Sequence, residues 1–330
     1  MQSIPRILVT MGEATGIGPE LLVRIAHQRF DAQLIVLADK TILSKVASKL
    51  KTSIQLEPIN WQSTAVKHQP GKLYFEQVEL AEPAVTGRLN AKNSPAILAM
   101  LTRAGKLALS NSVQAIVTAP VHKAVLNQAD PLFLGHTEFF AAQASVEKVV
   151  MLLATNQLRI ALATTHIPLD QVSRSITSEL LMQTIRVIHH SFEKLALNTP
   201  KIAVCGVNPH AGEDGLLGNE DKDIVAPALC QLKASGIDVE GPYPADSLFT
   251  EKNRKKFDVF LAMFHDQGLP VVKAIGFGEC ANITLGLPYI RTSVDHGTAI
   301  DIADKFCASS SSLEYAINYA LSLAKGSLPQ

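Results

Sequence analysis

The sequence lacks the features that mark several large classes of protein. It contains no apolar run of the ~18 residues that a membrane-spanning helix requires, and no internal repeat, low-complexity segment or flexible linker. Its 30 basic and 30 acidic residues balance to a net charge of zero, which argues against a nucleic-acid-binding surface and an acidic tail. The N-terminal residues lack the layout of a signal peptide and predict a first strand. We therefore expect a cytoplasmic protein that binds neither nucleic acid nor membrane.

Cysteine is scarce and carries no recognisable pattern. The four cysteines are widely spaced and form no CxxC pair, which argues against a disulfide framework and a zinc knuckle. We expect them to be reduced packing residues. The 330 residues, 47% of them hydrophobic, suffice for two domains of ordinary size or one large domain.

Neither common nucleotide-binding fingerprint is present. Ile4–Thr10 predicts a strand and Leu21–His27 a helix, with a glycine-rich loop between them. The loop has the spacing G-x-x-x-G-x-G, which is neither the dinucleotide fingerprint nor a Walker loop. It could bring backbone N–H groups against an anion, or it could be a plain tight turn.

Strand and helix alternate through most of the chain, and the strands are continuous apolar runs. This pattern is typical of a parallel sheet covered by helices on both faces, so we predict an α/β fold in two domains. Further strands are predicted at Gln33–Ala38, Ala115–Ala119, Val149–Ala154, Arg159–Thr164, Ile202–Val207 and Phe257–Phe264.

Histidines follow several of these strands directly. In open α/β sheets ligands bind beyond the carboxyl ends of strands, and His166, His210 and His265 each stand just after an apolar run. If their loops converge, three imidazoles would suit a catalytic divalent metal such as zinc or cobalt. Asp246 and Asp266 are acidic neighbours that could carry protons. Alternatively, each histidine could cap a helix or bond to the backbone.

A second set of residues favours an anionic ligand. Lys273 and Arg291 can pair with an anion, Arg291 as a planar fork, although such residues are commonly solvated surface charges. Asn282 can both donate and accept. His136 and Thr137 stand at the start of a predicted helix, where an anion is favoured. With a metal, these groups indicate a small, oxygen-rich, anionic substrate.

Seven segments together resemble the 4-hydroxythreonine-4-phosphate dehydrogenase family of pyridoxal phosphate biosynthesis. The resemblance extends from about residue 4 to residue 305 and departs where Ala14-Thr15 replaces the usual Pro-Ala. The segments are GEATGIGPE (12–20), TAPVHK (118–123), GHTEFF (135–140), TTHIPL (164–169), NPHAGEDGLLGNED (208–221), HDQGLPVVK (265–273) and NITLGLPYIRTSVDHGTA (282–299).

The resemblance implies the isocitrate/isopropylmalate dehydrogenase type of fold, with two α/β/α domains. We expect residues 1–125 and 266–330 to form one domain, and 126–265 the other, which carries the dimer contacts. The active site would lie in the cleft between the domains, and the partner subunit of a homodimer would complete it. The family binds its nicotinamide cofactor without the usual fingerprint. The resemblance assigns metal binding to His166, His210 and His265, and substrate binding to His136, Thr137, Lys273, Asn282 and Arg291.

The reaction implied by the resemblance is an oxidation followed by a decarboxylation. The secondary alcohol of 4-phosphohydroxy-L-threonine would be oxidised with NAD or NADP, and the 3-oxo acid would lose carbon dioxide to give 3-amino-2-oxopropyl phosphate. The divalent metal could be zinc, cobalt or magnesium. One alternative is a threonate or erythronate 4-phosphate dehydrogenase, which would share the same ligands. Others are a phosphate acyltransferase of similar architecture and a non-catalytic anion-binding protein.

Overall fold

The structure is a computed structural model that describes residues 4–276 and 278–329. Within these residues the strands are β1 (Arg6–Thr10), β2 (Gln33–Ala38), β3 (Gln55–Pro58), β4 (Lys72–Gln77), β5 (Ala115–Thr118), β6 (Val150–Ala154), β7 (Arg159–Leu162), β8 (Ile202–Cys205), β9 (Val239–Tyr243), β10 (Val259–Ala262), β11 (Ala281–Leu285) and β12 (Ile290–Ser293).

The helices alternate with these strands through most of the chain. They are α1 (Gly18–Ile25), α2 (Lys40–Lys49), α3 (Ser94–Leu109), α4 (Lys123–Leu126), α5 (His136–Gln143), α6 (Leu169–Ser175), α7 (Ser178–Lys194), α8 (Ala226–Ala234), α9 (Ala245–Leu248), α10 (Glu251–Arg254), α11 (His265–Ile275) and α12 (Ser311–Ala324). Short 3-10 segments lie at Ala91–Asn93 and Pro209–Gly215, and a π-helical turn at Asp221–Val225. No described helix is both long and apolar enough to cross a membrane.

The chain divides into two compact units. The first comprises the described residues up to Val146, with Leu287–Lys325 and Pro329. Its strands run parallel in the order β3-β4-β2-β1-β5-β12. The central strand β1 is apolar on both faces, and its residues Ile7, Leu8 and Val9 are fully buried. The sheet of this unit is therefore parallel, as the continuous apolar runs in the sequence predicted.

The second unit comprises Glu147–Gly286 with Gly326–Leu328, and its strands follow the order β11-β6-β7-β10-β8-β9. Strands β7, β10, β8 and β9 are parallel, but β6 runs antiparallel to both of its neighbours. The prediction of an all-parallel sheet is therefore wrong for β6. Only residues 155–158 join β6 to β7, which is too short for a crossover, and the hydroxyl of Thr155 accepts from the N–H of Leu158 within this turn (3.0 Å).

Both boundaries between the units lie 21 residues later in the chain than expected. They fall after residues 146 and 286 instead of after residues 125 and 265 (146 − 125; 286 − 265). Helix α5 belongs to the first unit because Gln143 donates to the carbonyl oxygen of Thr102 in α3 (2.7 Å). Helix α11 belongs to the second unit because Gly268 packs closely against Ile160 of β7 and Ala262 of β10. The α/β fold class is confirmed.

Candidate active site

In the first unit, Arg291 is a buried cation at the centre of a small polar group. It lies on β12 opposite Ile116 of β5, and only 2% of its surface is exposed. Its Nη2 atom donates to Thr118 Oγ1 (2.7 Å), and Nη1 donates to Thr137 Oγ1 (3.4 Å). Burial lowers the pKa of Arg291 to about 10, which leaves the guanidinium charged at neutral pH. A fixed, charged fork of this kind suits a carboxylate or a phosphate.

His136, the first residue of α5, belongs to the same group. Its ring lies nearly parallel to that of Phe140 (centroids 6.3 Å apart) and edge-on to Phe133 (6.4 Å). Its Nε2 atom is buried and has no hydrogen-bond partner in the described part of the chain. Burial, and then the charges of Arg291 and Lys123, hold the pKa of His136 well below its usual value. The imidazole is therefore neutral at pH 7, and a ligand atom at Nε2 would remove an unpaired-group cost of about 1–3 kcal/mol.

Two further side chains of this unit were not predicted as site residues. A Cβ atom placed on Gly135 would lie 3.3 Å from Lys123 Nζ, so this ammonium lies beside the residue that precedes His136. The hydroxyl of Tyr289 is buried without a hydrogen-bond partner among the described residues, and burial raises the pKa of Tyr289 to about 12. The only sequence signal for either residue was its place inside TAPVHK or NITLGLPYIRTSVDHGTA.

The glycine-rich loop after β1 is a packed turn. The backbone N–H groups of Glu13 and Ile17 donate to the carbonyl oxygens of Pro120 (2.8 Å) and Thr298 (3.1 Å). The hydroxyl of Thr15, at the position where the chain departs from the family pattern, donates to the buried Glu13 carboxylate (2.7 Å). Because these donors are used within the protein, the geometry favours the tight turn over an anion-binding loop.

In the second unit, the three strands that precede the predicted metal ligands are neighbours. Strand β10 lies between β7 and β8 and is parallel to both, with Phe260 opposite Ile160 on one side and Ala203 on the other. Parallel strands end at the same edge of a sheet. The loops that carry His166, His265 and His210 therefore leave one edge, in that spatial order.

His166 and His265 face each other at this edge. Their ring centroids are 5.6 Å apart, and both line a cavity of about 370 Å³. The Nδ1 atom of His265 is hydrogen-bonded to Asp266 Oδ1 (2.6 Å), which leaves Nε2 for a ligand. Two neighbouring imidazoles, one of them backed by a carboxylate, supply two of the three ligands typical of catalytic transition-metal sites, so these residues fit a divalent metal. The other residues of the cavity are Thr165, Ile167, Leu169, Val172, Phe264 and Asp266.

His210 is exposed on the segment Pro209–Gly215, and the ligand atoms of His166, His210 and His265 do not all lie within 4.8 Å of one another in the single chain. Among the described residues, one group of three metal-binding side chains has all its ligand atoms within 4.8 Å, and it is His189, His190 and Glu193 on α7. The sequence assigned no role to those two histidines. The structure thus brings His166 and His265 together and leaves His210 on the adjacent loop.

The remaining predicted residues of this unit lie on three elements, α9, α11 and β11. Asp246 is exposed on α9, which packs against the segment that carries His210. The side chain of Asp266 is 83% exposed and is bonded to His265. Lys273 is exposed on α11, and Asn282 on β11 has a buried Oδ1 atom without a hydrogen-bond partner in the described ranges. An orphaned buried acceptor such as this favours a ligand.

Two polar residues that sequence reasoning missed connect the loops at this edge. The hydroxyl of Thr164 donates to the carbonyl oxygen of Met263 (2.7 Å), which joins the loops of His166 and His265. Gln267 accepts from the N–H of Met263 (2.7 Å) and donates to the carbonyl oxygen of Gly206 (2.8 Å), which joins the loops of His265 and His210.

Comparison with known proteins identifies the family. The family described as pyridoxal phosphate biosynthetic protein PdxA matches residues 30–320. The chain belongs to this family. A 4-hydroxythreonine-4-phosphate dehydrogenase of Colwellia psychrerythraea is 48% identical over 320 residues, 97% of this chain and 98% of that protein. The family resemblance found in the sequence is confirmed.

Solved structures agree with the PdxA assignment. The crystal structure of the Klebsiella pneumoniae 4-hydroxythreonine-4-phosphate dehydrogenase is 35% identical, with a TM-score of 0.88 over 97% of this chain and 99% of that one. A branched-chain phosphotransacylase of Enterococcus faecalis is 12% identical with a TM-score of 0.53, over 97% of this chain and 98% of that one. That likeness shows the fold alone, so the fold does not separate a dehydrogenase from an acyltransferase.

Proposed function

We propose that this protein is an NAD(P)-dependent and divalent-metal-dependent 4-hydroxythreonine-4-phosphate dehydrogenase of pyridoxal phosphate biosynthesis, located in the cytoplasm. It oxidises the secondary alcohol of 4-phosphohydroxy-L-threonine and decarboxylates the product to 3-amino-2-oxopropyl phosphate. The observation that carries the proposal is the facing pair His166 and His265 at the ends of neighbouring strands, in a chain of the PdxA family. The free cysteines, two buried and two exposed, are compatible with a reducing compartment.

Each part of the substrate has a chemical counterpart in the chain. Its phosphate and carboxylate suit Arg291, Thr137 and the neutral His136, with Lys273 and Asn282 as further partners. Its hydroxyl suits a divalent ion held by His166, His265 and His210. Such an ion supplies Lewis-acid chemistry towards a hydroxyl or carbonyl oxygen and favours an enolate.

The protein side chains would hold the substrate and move protons. A bound nicotinamide cofactor would supply hydride-accepting chemistry. A base of the protein would take the proton of the substrate hydroxyl, and Asp266 and Asp246 are the candidates for that base. Asp266 is hydrogen-bonded to His265 and lines its cavity, which favours it as the nearer group. Loss of carbon dioxide then requires a proton at the carbon that carried the carboxylate. A buried guanidinium at Arg291 would hold the anionic groups in place through both steps.

We further propose a homodimer whose partner subunit completes the site. Four leucines beside the predicted site residues are 67–86% exposed, and exposed apolar side chains that together form a large patch mark interaction surfaces. They are Leu132 and Leu134 before His136, Leu169 after His166, and Leu216 after His210. A second copy that covered these loops would bury them.

The function is tested by the formation of reduced nicotinamide at 340 nm. The assay compares 4-phosphohydroxy-L-threonine with threonate and erythronate 4-phosphates, each with NAD and NADP. It is repeated after chelation and after re-addition of zinc, cobalt or magnesium. We expect chelator-sensitive turnover of the amino-acid phosphate, abolished in His166→Ala and retained in His190→Ala, which disrupts the other metal-binding group. Preference for a sugar-acid phosphate would transfer the protein to that dehydrogenase class, and chelator-resistant turnover would contradict the metal's role.

A further inference from the structure

The segment that carries His210 has an unusual backbone. His210 (φ 52°), Ala211 (53°), Glu213 (44°) and Asp214 (55°) all lie in the left-handed region, together with Gly212 (82°). Residues with a Cβ atom rarely adopt this conformation, and a run of them persists only where the surrounding structure fixes it. The loop therefore has to be held by groups outside it.

The carboxylate of Asp221 anchors the backbone just before this loop. It is 2% exposed, and its Oδ1 atom accepts from the N–H of Val207 (2.7 Å). Its Oδ2 atom accepts from the N–H (3.0 Å) and the side-chain amide (3.2 Å) of Asn208. A Cβ atom on Gly212 would lie 3.4 Å from Asp221 Oδ2, so the left-handed run passes close to the carboxylate at Gly212. Charge-assisted bonds to backbone N–H groups are among the stronger hydrogen bonds in proteins.

A second carboxylate connects the same loop to the segment after His166. Asn208 Nδ2 also donates to Glu220 Oε2 (2.8 Å), and Glu220 Oε1 accepts from the hydroxyl of Ser173 on α6 (2.6 Å). The bonds from Ser173 and then Asn208 hold the pKa of Glu220 below its usual value. Helix α6 also contributes Leu169 and Val172 to the cavity that His166 and His265 line. The chain Ser173–Glu220–Asn208–Asp221 thus joins the His210 loop to that cavity wall.

We propose that Asp221 is a positioning residue of the metal centre: its carboxylate fixes the left-handed loop that presents His210, and the Asn208–Glu220–Ser173 contacts set that loop against the cavity of His166 and His265. The inference rests on the proposed function, because it requires a metal at the three histidines. In this proposal Asp221 does not ligate the metal and acts through the backbone N–H groups of Val207 and Asn208. Groups that orient metal ligands in this way commonly change metal affinity by 10- to 100-fold.

The test measures cobalt binding to the full-length protein, after removal of metal, by visible absorption and by competition with a chelating dye. Asp221→Asn keeps the shape of the side chain but turns one acceptor into a donor facing N–H groups. We expect a dissociation constant for cobalt about 10- to 100-fold higher and a changed absorption band. Asp258→Asn is the matched control, because Asp258 also accepts from a backbone N–H, that of Lys201 at the amino end of β8 (2.8 Å), and should bind cobalt like the wild type.

Wild-type affinity and an unchanged band in folded Asp221→Asn would overturn the inference. If that variant does not fold, Glu220→Gln replaces it, since Glu220 is only half-buried, and its unchanged affinity would overturn the inference equally. Failure of the proposed function has a different signature. In that case His166→Ala and His265→Ala would bind cobalt as the wild type does, whatever Asp221→Asn shows.

Discussion

At the scale of single residues, the buried cation Arg291 makes the most direct prediction. Arg291→Lys keeps the charge but removes the fork that bonds to Thr118 and Thr137. Loss of charged hydrogen bonds worth about 1.5–3 kcal/mol should raise KM for the phosphorylated substrate roughly 10- to 100-fold. The change in KM is measured by steady-state kinetics at saturating cofactor. Arg103→Lys is the control, because Arg103 makes a comparable two-bond pair with Glu76, and its KM should not change.

An unchanged KM in Arg291→Lys would show that Arg291 is a structural residue of β12. A lower kcat with KM preserved would show that the fork acts on the reacting groups and not on binding.

His136 predicts a pH dependence of stability. Its pKa in the folded protein lies well below the value of about 6.5 that it has when unfolded. The unfolded chain therefore binds a proton as the pH falls below 6.5 while folded His136 stays neutral. Its contribution to stability is present above pH 6.5 and declines below it by up to about 1.4 kcal/mol per pH unit. Between pH 7 and 5, the free energy of unfolding in urea should therefore fall less steeply for His136→Phe than for the wild type. Parallel curves of unfolding free energy against pH for the two proteins would contradict the prediction.

At the scale of secondary-structure elements, α11 must lie very close to the sheet. A Cβ atom on Gly268 would come 2.7 Å from Ile160 Cγ2 and 3.1 Å from Ala262 Cβ. Gly268→Ala should therefore destabilise the protein by about 1–3 kcal/mol through overpacking, in spite of alanine's better helix propensity. The same displacement should weaken metal binding, since α11 begins at His265. Thermal unfolding and a metal titration measure the two effects.

The control for this substitution is Gly297→Ala. Among the residues that the structure describes, a Cβ atom there meets no other atom within 4 Å, so neither stability nor metal affinity should fall. Equal behaviour of the two variants would show that the contact between α11 and the sheet relaxes without cost.

The sequence predicted the elements better than their arrangement. Strand β2 is the predicted Gln33–Ala38 residue for residue, because a buried strand needs a continuous apolar run. The ends of β7 and β8 come two residues earlier than predicted, since the chain there turns into the loops of His166 and His210. The position of β10 between β7 and β8 depends on contacts between distant parts of the chain. The hydrogen bond from Gln267 to Gly206 joins residues 61 positions apart, and no local sequence pattern predicts it.

At the scale of the whole molecule, the sequence could place candidate ligands at strand ends but not the subunit to which each belongs. His166 and His265 meet within one chain, whereas His210 stays apart on a neighbouring loop next to the exposed Leu216. The family resemblance suggested a shared site, and the exposed leucines give that suggestion a physical reason. A closed two-fold dimer would bring the same loops of both subunits into one interface.

The proposal that the partner subunit completes the site predicts complementation between two inactive subunits. A His166→Ala subunit and a His210→Ala subunit, coexpressed with different tags and purified through both, form a heterodimer. If His166 and His210 of one metal centre come from different subunits, one of its two sites keeps all three histidines, and the heterodimer should regain about half of the wild-type activity. Homodimers of either variant serve as inactive controls, and native mass spectrometry verifies the assembly. An inactive heterodimer of the correct mass would mean that one subunit supplies both ligands, so that the His210 loop must move to reach the other two histidines.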